Sequence, residues 1–586
     1  GYFGIALRLR HGAADLAAFK KAVQALPHQG AIEFQTAPVT EAKVARAVRP
    51  QVGALTAFAL VIALTGLLLV GQAIARQTFL DSIDHPTMRA LGFGRRQLVA
   101  TAMLRALVVA VGAAALAVVV AVAASPLTPI GVARNAEPDL GLYVDGPVIA
   151  LGFLAVVGAV LVLAAIPAWF YTRAARFRPV DQATRPSRVV GWLRVSGASL
   201  VAGTGVGMAL EPGRGRTAVP VRTTIVGAAL AIATVVAALT FAASLDHLVS
   251  TPRLYGWAWD ARVETSGNSD AQTASVHKTV ADLMTKSRSV AAFSESLISR
   301  VNLDGVTVTA VGVAHRKGNL GPTIVAGRAP RAADEVALGA KTLDRIGVGL
   351  GETVEAQPDA GGKPTKLRVV GRVVLPGLGT YPGSDKTALG EGALLTRAAL
   401  RRLGPDFGPG PFLVALAPGS TRAALSSELA QPDATLVQVI GLQRPSDIVS
   451  YERVRTTPLV LAGVLALLAI ATVTHALATA VRRRRRDLAL LKTLGFTRRQ
   501  VTGSVAWQAT TFAVLALGFG IPIGVIVGRW VWTALADDLG TVAQPVVPVL
   551  ALVVAIPVVL LIANAVAFVP GRIAARLRPA TVLRTE

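Results

Sequence analysis

The chain of 586 residues carries 59 basic and 34 acidic side chains, a formal charge of +25, yet 53% of it is hydrophobic and only 16% is charged. So apolar a chain excludes disorder, and a soluble surface could not hide this much hydrocarbon, so the charge speaks for a membrane rather than for nucleic acid. The lack of Cys excludes disulfides, thiolate metal sites and cysteine nucleophiles.

Residues 1–50 precede the first long apolar run and read as the C-terminal remnant of a first extracytoplasmic domain. A first transmembrane unit follows over 51–180, with spans near 51–73, 99–125 and 148–171, each long enough to cross a hydrocarbon core of about 30 Å. The loop after its first span holds Arg76, Arg89, Arg95 and Arg96, whereas the loop 126–147 holds Arg134 alone. Segment 181–222 reads as a cytoplasmic linker. There Trp192 and Leu193 among Arg188 and Arg194 predict a helix lying on the inner leaflet. A leading span of the second half covers 223–246.

The long polar segment 247–456 reads as a second extracytoplasmic domain of α+β type. Val306–Val313 and Leu367–Val374 have strand character, and helices are expected over 271–290 and 396–403, the latter capped by Thr396. Trp257 and Trp259, just past the leading span, are expected in the outer aromatic belt. The second transmembrane unit, 457–586, has spans near 457–480, 506–528 and 548–570. Its first loop holds Arg482 to Arg486, Lys492, Arg498 and Arg499.

Basic loops thus alternate with short loops almost free of Lys and Arg, and the positive-inside rule puts the basic set in the cytoplasm. The expected fold is a polytopic α-helical membrane protein with seven spans and an extracytoplasmic α+β domain. A chain that starts outside without an export signal or earlier span is expected to continue upstream, with a lost leading span and most of a first outer domain.

Two of the basic loops repeat each other at an offset of 403 residues. Ala90-Leu91-Gly92-Phe93-Gly94-Arg95-Arg96-Gln97 matches Thr493-Leu494-Gly495-Phe496-Thr497-Arg498-Arg499-Gln500, with Asp84 on Asp487 and Arg89 on Lys492. The repeat runs in parallel, so its axis lies along the membrane normal. In the second copy Leu488, Leu490, Leu491 and Leu494 mark a short helix stopped by Gly495, and Thr497 caps the next one. Arg95, Arg96, Arg498 and Arg499 read as inner-interface anchors whose charge opposes the helix dipole, so lipid phosphates or a partner must compensate.

The run Arg486-Asp-Leu-Ala-Leu-Leu-Lys-Thr-Leu-Gly-Phe-Thr-Arg-Arg-Gln500 resembles the signature of the FtsX-like permeases, the membrane subunits of type VII ABC systems, with MacB- and LolC/LolE-type kin. The layout is similar to duplicated permeases of GC-rich Gram-positive bacteria. The first copy departs from the pattern at Asp84-His85-Pro86-Thr87-Met88, and Pro86 is tolerated only in a first helical turn. The resemblance implies a plasma-membrane protein whose repeated loops dock on a cytoplasmic ABC ATPase dimer. The contact elements would be Asp84, Arg89, Leu91 and Gly92 in one half and Asp487, Leu490, Leu491, Lys492, Leu494 and Gly495 in the other. ATP and Mg2+ would then sit on that partner, with no cofactor on this chain.

No phosphate-binding Gly-x-x-x-x-Gly-Lys-Ser/Thr loop, metal-ligand spacing or Gly-x-Ser-x-Gly elbow occurs, so no catalytic activity is expected. His475 and Asn564, near the inner ends of their spans, read as interhelical hydrogen-bonding groups rather than a proton relay, and Arg105 and Gln508 as interface groups. Gly520, Gly524 and Gly528 have the spacing that permits close helix contact. The leading reading is export or extraction of a lipid, lipoprotein or hydrophobic or peptide compound. The alternative is mechanotransmission to an extracytoplasmic cell-wall hydrolase or a sensor kinase. Other partners are membrane lipids and an extracytoplasmic protein or lipid client, with no nucleic acid. An ion-coupled transporter is disfavoured because no span holds a carboxylate.

Overall fold

The computed structural model describes residues 84–127, 141–174, 188–211, 221–358, 363–376, 389–403, 410–430, 435–452 and 456–576, single positions excepted, with scattered positions before 84. Residues Gly1–Arg49 form one compact unit and Pro50–Glu586 another. The expected span at 51–73 lies largely outside the described residues.

In the second unit a short helix α1, His85–Ala90, precedes two long apolar ones, α2, Arg95–Ala124, and α3, Gly146–Ala174. The linker then departs from expectation, because it holds two helices instead of one. The first, α4, Arg188–Val195, is amphipathic, with Val190 buried and Trp192 exposed. The second, α5, Leu200–Leu210, is apolar and begins where the Ser199 hydroxyl accepts from the Ala202 amide at 3.2 Å. The leading helix of the second half is α6, Val221–Ser250.

A sheet domain follows. In chain order its elements are β1, Ala261–Thr265; α7, Asp270–Lys286; β2, Val290–Leu303; β3, Val306–Lys317; β4, Thr323–Gly327; and β5, Glu335–Leu338. Next come α8, Ala340–Ile346; β6, Thr353–Pro358; β7, Thr365–Val374; β8, Ala393–Thr396; and α9, Arg397–Leu403. The last are β9, Phe412–Leu416; α10, Arg422–Leu429; and β10, Val437–Ile440. The ten strands make one mixed sheet ordered β10-β1-β9-β2-β3-β8-β5-β7-β4, with β6 pairing β2 and β7. The long β2–β3 hairpin turns on Asp304 and Gly305, both with positive φ, as a two-residue turn between twisted strands demands. The α+β character, both expected strands and both expected helices are therefore present, and the Thr396 hydroxyl accepts from the Ala399 amide at 3.1 Å.

The chain then returns to helices: α11, Thr457–Arg483; α12, Arg485–Thr493; α13, Arg498–Leu539; and α14, Val549–Arg576. Among the described residues five helices are long and apolar enough to cross a membrane, namely α2, α3, α6, α13 and α14. The expected span at 457–480 falls within α11.

Two features of this half position everything else. Gly520, Gly524 and Gly528 line a seam on α6, so close that a Cβ on Gly524 would lie 2.4 Å from the Ala233 carbonyl oxygen. And α13 continues well past the span expected at 506–528. It has 42 residues, about 63 Å of helix. Trp532, Ala536 and Leu539, at helical spacing beyond the seam, are buried against the sheet domain and extend it.

One core joins bundle and sheet. It combines Phe241, Leu245 and Leu248 of α6, Leu465 of α11 and Trp532 of α13 with Val311, Val373 and Leu394 of the sheet. Trp257 and Trp259 belong to this core. They are 2% and 4% exposed and lie against each other with ring centres 5.1 Å apart and planes tilted by 37°, so they are not residues of a lipid-facing belt. The turn Pro252–Tyr255 folds the chain back after α6, and this carries both indoles under the sheet.

Candidate functional site

The repeated loops have the same backbone design. After α12 the Gly495 amide donates to the Lys492 carbonyl and the Phe496 amide to the Leu491 carbonyl, each at 3.1 Å. After α1 the Gly92 amide donates to Arg89 at 2.9 Å and the Phe93 amide to Met88 at 3.1 Å. This paired closure needs a left-handed residue, and Gly92 and Gly495 supply it at φ of 92° and 98°. The next helix then starts the same way. The Gln97 side chain accepts from the Gly94 amide at 2.7 Å, and the Gln500 side chain from the Thr497 amide at 2.8 Å. The second copy adds a hydroxyl cap, in which Thr497 accepts from the Gln500 amide at 3.3 Å.

Around this shared turn the side chains differ. On α12, Leu488 and Ala489 are fully buried, and partly buried Leu491 packs on the same core, which includes Met208 of α5, Val505 of α13 and Ala574 of α14. The opposite face presents Leu490 and, at the turn, Leu494, which is 79% exposed. The Lys492 ammonium donates to the Ala575 carbonyl at 2.7 Å, and burial followed by the Arg498 charge holds its pKa below the usual lysine value. Asp487 lies in the first turn of α12, where a carboxylate complements the helix dipole. On α1, Pro86 occupies the first turn, where its missing amide does no harm, and His85 is its buried residue. Burial, then Arg89, lowers the His85 pKa. Leu91, the counterpart of Leu494, is 77% exposed. Arg95, Arg96, Arg498 and Arg499 are all exposed at the starts of α2 and α13.

The structure therefore brings Asp487, Leu490, Leu491, Lys492, Leu494 and Gly495 together on one anchored helix and its turn, and Asp84, Arg89, Leu91 and Gly92 on a shorter one. It also adds a support that the sequence reading missed. Arg484, 5% exposed, donates to the Glu211 carbonyl and so ties the start of α12 to the end of α5. Helix α5 lies along α13, where Thr204 and Ser504 hydroxyls meet at 2.9 Å and a Cβ on Gly205 would strike the Ser504 carbonyl at 2.5 Å. Gln508, expected as an interface group, is 2% exposed, and its amide nitrogen faces the Met208 carbonyl at 3.4 Å. Arg484 was hidden in a run of five arginines. The one available signal was the small-residue face Gly203-x-Gly205-x-Gly207 of an apolar segment.

At its other end α13 is fixed to the sheet domain. Arg372 of β7 faces Asp537 at 3.5 Å, and the Val542 amide just past the helix donates to the Leu254 carbonyl at 3.0 Å. One uninterrupted helix thus runs from the second repeated loop to the sheet. Asn564, read as an interhelical group, bonds Thr510 of α13 at 3.0 Å, whereas the His475 side chain lies outside the described residues. Arg105 pairs with Asp81 at 3.0 Å. Among the described residues no three His, Asp or Glu side chains are grouped to hold a metal.

A comparison with curated proteins finds no match. The profile of the FtsX-like permease C-terminal domain, by contrast, matches twice, over residues 51–176 and 459–579, and each match contains one of the repeated loops. The chain thus carries the FtsX-like permease C-terminal domain twice, as a duplicated FtsX-like permease would.

Proposed function

We propose that this permease is the non-catalytic membrane subunit of an ABC transporter of the bacterial plasma membrane. In this reading a separate cytoplasmic ATPase dimer, holding ATP and Mg2+, docks on the repeated loops. Its closure moves α12, and the movement reaches the extracytoplasmic sheet domain through α13. The observation that carries the reading is the continuity of α13 between an anchored loop helix with exposed leucines and a core shared with the sheet. The work done outside is export or extraction of a lipid, lipoprotein or hydrophobic or peptide compound. The shared core also favours a second use of the same machine, in which the sheet domain transmits force to a cell-wall hydrolase or sensor kinase.

The test is co-purification with the ATPase, followed by ATPase assays of Leu490→Asp and Leu494→Asp. Both side chains are exposed, so these changes leave the core intact, unlike Leu491→Asp, which also injures packing. Loss of binding or of stimulated hydrolysis is expected. Normal binding and coupling in both variants would sink the assignment.

A further inference from the structure

Beside the glycine seam, helices α6, α11, α13 and α14 enclose a cavity of about 240 Å³. Its walls are aliphatic apart from Phe512, and eight of the lining positions are alanine. The cause is an asymmetry of the bundle. Along the seam, small residues let α6 and α13 touch. On the neighbouring face the same kind of residue, among them Ala466, Ala513 and Ala555, lines a gap between the four helices. The lining runs over 228–239 of α6, 466–470 of α11, 509–521 of α13 and 555–566 of α14, the middle of each helix. That is the depth of bilayer hydrocarbon.

Water has no polar partner in such a place, and an empty space this large forfeits contacts along all its walls. A dry apolar cavity of roughly 150 Å³ already takes up benzene. Val558 lies on the rim and is 44% exposed, so the cavity opens sideways, toward lipid. The abundant solute at that depth is an aliphatic chain. We propose that this cavity binds one acyl chain of a membrane phospholipid, which enters past Val558 and completes the packing of the second half. The site lies within one half of the molecule and does not depend on the transport reading above.

The experiment uses the full chain in phosphatidylglycerol–phosphatidylcholine vesicles doped with a phospholipid bearing a diazirine midway along one acyl chain. Irradiation and peptide mapping should label 509–521 and the cavity face of 555–566, in addition to the lipid-facing Val553 and Leu561, which serve as controls. In Ala516→Phe, which fills the cavity, labelling of 509–521 should be lost while the controls keep theirs. Val558→Trp, which closes the rim without touching the inner walls, should do the same if the filled variant fails to fold. Labelling confined to Val553 and Leu561 in the unaltered protein, or cavity labelling unchanged in Val558→Trp, overturns the proposal. So does labelling by a diazirine-bearing hydrophobic peptide with none by the phospholipid, which would make the cavity a cargo site.

Discussion

The two permease domains of this chain share a loop but not the packing around it. The apolar stretch of α13 is 39% buried and that of its counterpart α2 17%, whereas those of α14 and its counterpart α3 are 11% buried alike; the leading helix α6 is 61% buried. In the second half a leading helix is zipped to α13, and the pair reaches into the sheet. In the first, α2 and α3 pack on each other, and among the described residues many of their other side chains are exposed. The loops follow suit. Leu488 and Ala489 lock α12 into a core, but α1 has a proline and a buried histidine at the corresponding places. A repeated turn therefore fixes local geometry, and the environment decides how firmly that geometry is held.

The sharpest way to break this contrast is to add bulk at one glycine in each half. Gly524→Val should abolish folding or lower the melting temperature steeply, because its Cβ meets backbone and overpacking alone costs about 1–3 kcal/mol or more. Gly158→Val, with nothing within 4 Å, should melt like the parent in the same detergent assay.

A second test concerns the sheet domain. His277 stacks on Phe412 at 4.0 Å, and burial, then Arg397 and Arg316, lower its pKa to about 4. The unfolded chain takes up this proton first as pH falls. Stability is therefore complete above the ordinary value near 6.5, declines below it and has lost this contribution once pH passes about 4, at most about 3 kcal/mol in all. Denaturant melts of the parent between pH 7 and 4 should show that slope, and His277→Gln should flatten it.

Smaller effects are expected at the caps. Thr497→Ala should cost about 1 kcal/mol, and Gly94→Thr, at a φ of −73° that threonine accepts, should regain a few tenths to about 1 kcal/mol in the first half. Equal melting temperatures for Gly94→Thr and the parent would mean that the first loop is limited by something other than its cap. Smallest of all, Asn564→Leu removes the bond to Thr510 and should cost about 0.6 kcal/mol, near the limit of a careful melt.

Hydropathy made the spans legible because a long apolar run is stable in few places besides a bilayer, and the loop was legible because it occurs twice. The upper end of α13 was not. Arg529-Trp-Val-Trp-Thr-Ala-Leu-Ala-Asp-Asp538 is too polar for a span, yet the stripe Trp532, Ala536, Leu539 has a core waiting for it in the sheet domain. Trp257 and Trp259 misled for the same reason, since an indole beside a span reads as a lipid anchor until the partner surface is known. The expected single linker helix concealed a break at Gly197 and Ser199. At the site, exposed Leu494 was readable from the motif. The clamp from Arg484 to Glu211 joins residues 273 positions apart, and no local pattern encodes it.

The glycine seam clamps α13 partway along its length, with about 39 Å of helix between Gly524 and the repeated loop and about 23 Å between Gly524 and the end of the helix at the sheet. Pro522, which removes a backbone bond and so makes the rod weakest, sits within the clamped stretch, where bending is resisted by α6. The seam is thus more than a packing solution: it splints the helix where Pro522 leaves it weakest.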